Sequence, residues 1–146
     1  MNNYPSWWNS TITLYNKYVD KTTNAVYWYK TTLKNCFWNP TGVKVIIGTT
    51  SLDTSSTLCR IPKSSNFLGK AEWDASVSKQ MFFTLAPGDI LVYGVCTDTI
   101  DEYTKGNRSS DFLQNHRSAG DCMLVEQVHI AVGGGRGNEH YRVEGK

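Results

Sequence analysis

The chain has 146 residues and a mass of 16.4 kDa, with a formal net charge of +2, a sequence pI near 8.3 and a mean hydropathy of −0.41. Hydrophobic residues make up 40% and charged residues 19%, a globular balance that excludes a disordered chain, and the length suits one domain. The charge is too small and too scattered for a dedicated DNA binder, and no apolar run approaches the roughly 20 residues of a membrane-spanning helix.

The N-terminal arm, residues 1–9, is polar apart from Tyr4, Trp7 and Trp8, and Pro5 breaks its regularity. It carries no charged start followed by an apolar run, so no signal peptide is expected and folding in a reducing cytoplasm is. The paired Trp are expected to fold back on the domain that carries them. Thr11 to Tyr18 alternates, with Ile12, Leu14 and Tyr18 on one face and Thr11, Thr13 and Lys17 on the other. That pattern predicts a half-buried strand. A polar turn, Asp20 to Asn24, leads to a second strand over Ala25 to Leu33, and Asn35 to Trp38 continues the extended character. Asn39-Pro40-Thr41-Gly42 predicts a turn, Val43 to Ile47 a β-branched strand stopped by Gly48, and Leu58 to Ile61 a short strand ended by Pro62.

Residues 62–80 have no sustained period and read as a long loop. Phe67, Leu68 and Trp73 within it need a surface, supplied either by the chain's own barrel or by another subunit. The stretch from Thr84 to Glu102 organises the rest. Pro87-Gly88-Asp89 is a turn signal, and Ile90-Leu91-Val92-Tyr93 is apolar on both faces, so it predicts a strand buried on both sides and interrupted by Gly94. A helical insert spans 103–121. Ser109-Ser110-Asp111 offers capping oxygens, Asp111 and Gln114 have capping-box spacing, Arg117 suits the helix end and Gly120 closes it. Cys122 to Val132 and His140 to Glu144 predict a closing hairpin around the Gly133 to Asn138 turn. Seven or eight short strands without βαβ alternation predict a mainly β fold: a small antiparallel β-barrel or sandwich with one short helix and a long loop.

No chemical signature stands out. Cys36, Cys59, Cys96 and Cys122 are widely spaced within apolar runs and read as buried free thiols rather than zinc ligands. His116, His129 and His140 offer a metal site only if joined by Asp89, Asp98 or Asp101, and spacing demands nothing of the kind. The Gly133 to Gly137 run lacks the following helix and Lys of a phosphate cradle. The acidic cluster at Asp98, Asp101 and Glu102 reads as a solvated loop. The expectation is therefore no enzyme, with no catalytic residue, no metal and no cofactor.

Several segments together resemble a known family. They are Trp8-Asn-Ser-Thr-Ile-Thr-Leu-Tyr-Asn-Lys17, Trp28-Tyr-Lys-Thr-Thr-Leu-Lys-Asn-Cys-Phe37, Arg60-Ile-Pro62, Phe83-Thr-Leu-Ala-Pro-Gly-Asp89, Ile100-Asp-Glu102, Lys105-Gly-Asn-Arg-Ser-Ser-Asp111 and His140-Tyr-Arg-Val-Glu-Gly145. In that order they resemble a family of small proteins encoded in prophages of Firmicutes. The layout is similar to tailed-phage head-closure proteins, the stopper or head–tail connector group. The resemblance implies a homo-oligomeric ring in the virion neck, assembled in the host cytoplasm, with portal or adaptor and tail proteins as partners and packaged DNA passing through. It implies that the 62–80 loop reaches into the channel. Lys63, Lys70, Lys79, Lys105 and Arg108 would then face DNA, and Trp7, Trp8, Phe67, Leu68 and Trp73 would line subunit interfaces. The rivals are a tail terminator or other virion structural protein, a monomeric carbohydrate-binding β module stacking sugars on Trp28, Trp38 or Trp73, and a small hydrolase dependent on His129 or His140.

Overall fold

A computed structural model describes residues 5–41, 44–47, 50–53, 56–119, 121–131 and 139–146. The expected turn at Gly133 to Asn138, the glycines Gly42, Gly48 and Gly120, and the arm's first four residues lie outside the described residues, as does the Arg117 side chain. The strands are β1 (Ser10–Val19), β2 (Val26–Thr41), β3 (Lys44–Ile47), β4 (Thr50–Asp53), β5 (Ser56–Pro62), β6 (Ile90–Tyr93), β7 (Cys122–Ala131) and β8 (His140–Gly145). The helices are α1 (Lys70–Ala75) and α2 (Ser109–Ala119).

The polar link Asp20 to Asn24 closes a hairpin: the Asp20 amide donates to the Ala25 carbonyl at 2.8 Å, and β1 and β2 pair from Val19↔Val26 back to Ser10↔Cys36. The register slips by one residue between Ile12 and Ser10. Asn35, with φ of 59°, sits opposite the slip, and Asn is among the few residues that tolerate the left-handed region. Past that bulge β2 pairs with β5 over Phe37↔Arg60 to Thr41↔Ser56. The two extended runs read in the sequence are thus one 16-residue strand shared between two partners. Further antiparallel ladders join β5 to β8, β8 to β7, β7 to β6 and β6 to β1, which closes a barrel in the order β1-β2-β5-β8-β7-β6. The fold is a small antiparallel β-barrel.

Two apolar clusters explain the burial pattern. The barrel interior holds Ile12, Leu14, Leu91, Met123, Val125 and Val143 among others. A second layer joins Tyr15, Ile90 and Val92 to Ile100 and Phe112 on the barrel's outer face. Ile90, Leu91 and Val92 of β6 are buried on both sides for that reason, as the apolar run predicts, whereas Tyr93 at its end is exposed. The same layer corrects the reading of β1 as half-buried. Thr13 and Tyr15 point away from the interior and are still covered, so every residue from Ile12 to Asn16 is buried.

The long 62–80 segment contains a helix that its sequence did not announce, α1, and it lies across its own barrel. Phe67 bridges to Phe83, the Leu68 amide donates to the Phe83 carbonyl at 2.9 Å, and the Phe67 ring stacks on Tyr141 at 4.2 Å. Trp73 is fully buried, edge-on to Tyr18 and Tyr29, and its Nε1 donates to the Phe82 carbonyl at 3.1 Å. Trp8 folds back as expected, edge-on to His140 and against Phe37.

β3 and β4 form a separate two-stranded sheet. Their register continues that of β2 and β5. From the Thr41↔Ser56 pair to the Lys44↔Asp53 pair, one strand advances three residues and the other retreats three. The β2–β5 ladder and β3–β4 therefore share the register of one hairpin, and its outer four-residue strands add roughly 13 Å of ribbon. No other strand among the described residues pairs with them.

Candidate functional site

β6 ends at Gly94, whose φ of 88° turns the chain back over β1. Four hydrogen bonds from three β1 residues pin the returning segment. The Gly94 amide donates to the Thr11 carbonyl at 2.7 Å. The Thr13 hydroxyl donates to the Gly94 carbonyl at 2.8 Å and accepts from the Cys96 amide at 2.9 Å. The Tyr15 hydroxyl donates to the Asp98 carbonyl at 2.6 Å. Burial, with a hydrogen bond to Cys96, raises the Tyr15 phenol far above its ordinary range, so it stays a donor. β1 thereby fixes Cys96 and Asp98, two residues apart, on one side of the barrel.

α2 brings the third group. Phe112 packs edge-on against Tyr15 with ring centroids 5.0 Å apart, which sets the helix on the barrel, and His116 lies one turn further along the same face. The His116 ring sits 4.2 Å from that of Phe112. Its Nε2 lies 3.1 Å from Asp98 Oδ2 and 3.9 Å from Cys96 Sγ, while its Nδ1 lies 3.1 Å from Asp121 Oδ1 just past the helix. The Cys96, Asp98 and His116 ligand atoms all lie within 4.8 Å of one another. Cys96 is 9% exposed and the Asp98 side chain 64%, so the cluster runs from a buried thiol to an open carboxylate. It opens on a cleft bordered by Thr97, Thr99, Asn107 and Asn115.

The remaining acids of this region have structural work. Asp101 accepts from the Tyr103 amide and the Thr104 hydroxyl, which turns the loop, and those bonds hold its carboxyl below the ordinary range. Glu102 Oε1 accepts from the Ser109 amide at 2.7 Å, so a carboxylate from seven residues upstream caps α2 where an Asp111–Gln114 box was expected. Asp89 is buried beside β1: its Oδ2 accepts from Asn16 Nδ2 and the Ala86 amide, and its Oδ1 from the Lys17 amide, each at 2.9 Å. Burial pushes its carboxyl up to about 6 despite those three donors.

A model of a family of unknown function, DUF6751, matches residues 7–146. The chain belongs to this family. The match takes in the barrel, the ribbon and the Cys96 cluster together. No curated protein and no solved structure matches the chain.

The cluster overturns the expectation of no enzyme-like site: Cys96, Asp98 and His116 form a group that could hold a metal ion. A thiol, an imidazole and two carboxylates converge as in metal centres and in nucleophile–base pairs, and the contact spans three segments that the sequence separates. His116 and Asp98 are among the metal ligands the sequence offers; Cys96 reads there as a core thiol, and Asp121 is not among those ligands. His129 and His140 do not join them, and in the last hairpin they pair with Arg142 and Ala131 rather than each other. All four cysteines are buried and none is in a disulfide.

The residues expected at interfaces and at DNA differ in exposure. Trp73 is enclosed by its own chain, Trp8 is 8% exposed, and Phe67 and Leu68 are half-buried, which leaves Trp7 at 64% as the open ring. Lys63 pairs with Glu139. Lys70 pairs with Asp74 and lies over the Trp73 ring, and Lys79 lies over Tyr18. Lys105 and Arg108 are exposed beside the cleft. Of the rings proposed as sugar platforms, Trp28 lies under Lys17 and Trp38 packs against the half-exposed Tyr93. No described helix is long and apolar enough to cross a membrane.

Proposed function

We propose that the chain is a structural subunit of the tailed-phage neck, a ring-forming head–tail connector or head-closure adaptor between portal and tail. The β3–β4 ribbon carries the reading. Along its ladder Val45, Ile47, Thr50 and Leu52 fall in one phase and Lys44, Ile46, Ser51 and Asp53 in the other, so apolar residues stand on both. A two-stranded ribbon is marginal alone and needs a further surface to be stable. The barrel is closed and offers no edge strand, so a neighbouring copy is the surface at hand. The resemblance of the motifs from Trp8 to Gly145 supports the same role. In this reading the reaching element is the ribbon, not the 62–80 segment that packs on its own barrel. Mass spectrometry of particles purified from an induced lysogen tests it: the chain should be present in intact virions at a fixed ratio to portal, and its absence overturns the proposal.

One observation favours a second reading, a barrel that works as a monomer. Trp8, Phe67 and Trp73 are satisfied within the chain and need no partner copy. In that reading the ligand face is Trp38 with Tyr93, whose rings lie 5.8 Å apart. It requires Trp fluorescence to respond to added oligosaccharide.

A further inference from the structure

We infer that Cys96, Asp98 and His116 bind a thiolate-preferring divalent cation of the zinc class, with Asp121 orienting His116 and a water from the cleft as fourth ligand. The inference is independent of the neck reading. It starts from an electrostatic conflict. In the neutral ring whose Nδ1–H donates to Asp121, the Nε2 lone pair faces a carboxylate oxygen at 3.1 Å and a sulfur at 3.9 Å. Three electron-rich atoms converging on one point repel unless a proton or a cation lies between them. A proton satisfies one of these pairs; a cation satisfies all three.

The distances agree with this. Zinc–sulfur bonds near 2.3 Å and zinc–nitrogen or zinc–oxygen bonds near 2.0–2.1 Å put tetrahedral ligands about 3.3–3.6 Å apart. The observed 3.1 and 3.9 Å bracket that range and the remaining pair lies within 4.8 Å, a spread that rotation of the exposed Asp98 side chain can close. A carboxylate on the far nitrogen of a ligating histidine is the usual way to fix its tautomer and raise its basicity. The ligand set favours this cation class: a thiolate with an imidazole disfavours magnesium and calcium, which take oxygen. Three protein ligands and an opening to solvent leave one position for water, the arrangement of reactive rather than closed centres. Binding replaces the thiol proton and any proton on Nε2 with the cation and releases them to solvent, so affinity falls as pH is lowered.

The test is titration of the full chain, stripped with chelator, with Co2+ and then Zn2+. One equivalent of Co2+ should give intense tetrahedral visible bands and a sulfur-to-cobalt charge-transfer band, and Zn2+ should displace it. Cys96→Ser should lose the charge-transfer band. Asp121→Asn should weaken Zn2+ binding about 10- to 100-fold. Asp98→Asn, at a side chain 64% exposed, should weaken it as well. Absence of a thiolate band in the parent, or unchanged Zn2+ affinity in both Asp98→Asn and Asp121→Asn, overturns the site.

Discussion

Asp89 is the residue on which the barrel's closing turn depends. Its two oxygens take three N–H donors from β1 and from the Ala86–Asp89 turn, and the Gly88 amide adds a bond to Val125 on β7. Asp89→Asn presents an NH2 to those donors and should cost about 2 kcal/mol in urea unfolding at pH 7. The carboxyl also makes stability depend on pH. Its ordinary value is 3.8 and in the fold it rises to about 6, so the folded state holds the proton more tightly than the unfolded chain. Its contribution is full below pH 4 and is lost as pH rises through 6. The stability gap between parent and Asp89→Asn should widen by about 2–3 kcal/mol between pH 7 and pH 4. A constant gap would show that the carboxylate is solvated. At this scale the sequence was readable where one local rule sufficed, as at Pro87-Gly88-Asp89. It was not readable at Cys96, because His116 arrives from a helix and Asp121 from beyond it. The available signal was Phe112 and His116 at helical spacing, with an acid five residues later.

At the scale of elements, packing decided what local pattern left open. Residues 62–80 have no periodicity, yet a six-residue helix forms there because Trp73 plugs the space between Tyr18 and Tyr29. A helix so short has little stability of its own. Trp73→Ala should cost about 3–5 kcal/mol, read by thermal or chemical unfolding. The barrel strands were legible from alternation and turn residues; the joining of two runs into β2 was not, since the bulge at Asn35 is set by what β2 pairs with on either side. Asn35→Gly should be tolerated, whereas Asn35→Val should cost about 1–2 kcal/mol, because a β-branched residue resists positive φ. The β7–β8 closure has a comparable constraint at Gly145, where a Cβ would sit 2.0 Å from the Leu124 carbonyl oxygen. Gly145→Ala should destabilise by about 3 kcal/mol or prevent folding, which soluble yield and circular dichroism will register.

At the scale of the whole molecule, the barrel is finished and the ribbon is not. Trp8 and Trp73 are covered by the chain itself while Trp7 stays open, and the in-register extension past Thr41 and Ser56 is the element to which the proposed ring assigns association. That division of labour separates folding from assembly: replacing residues 42–55 by a two-residue turn should leave the thermal midpoint within a few degrees of the parent. Sedimentation velocity of the parent and the shortened chain, run side by side up to high concentration, tests the account most directly. It predicts closed multimers for the parent and a single folded species for the shortened chain. A parent that sediments as one copy throughout, or a shortened chain that still assembles, would contradict it.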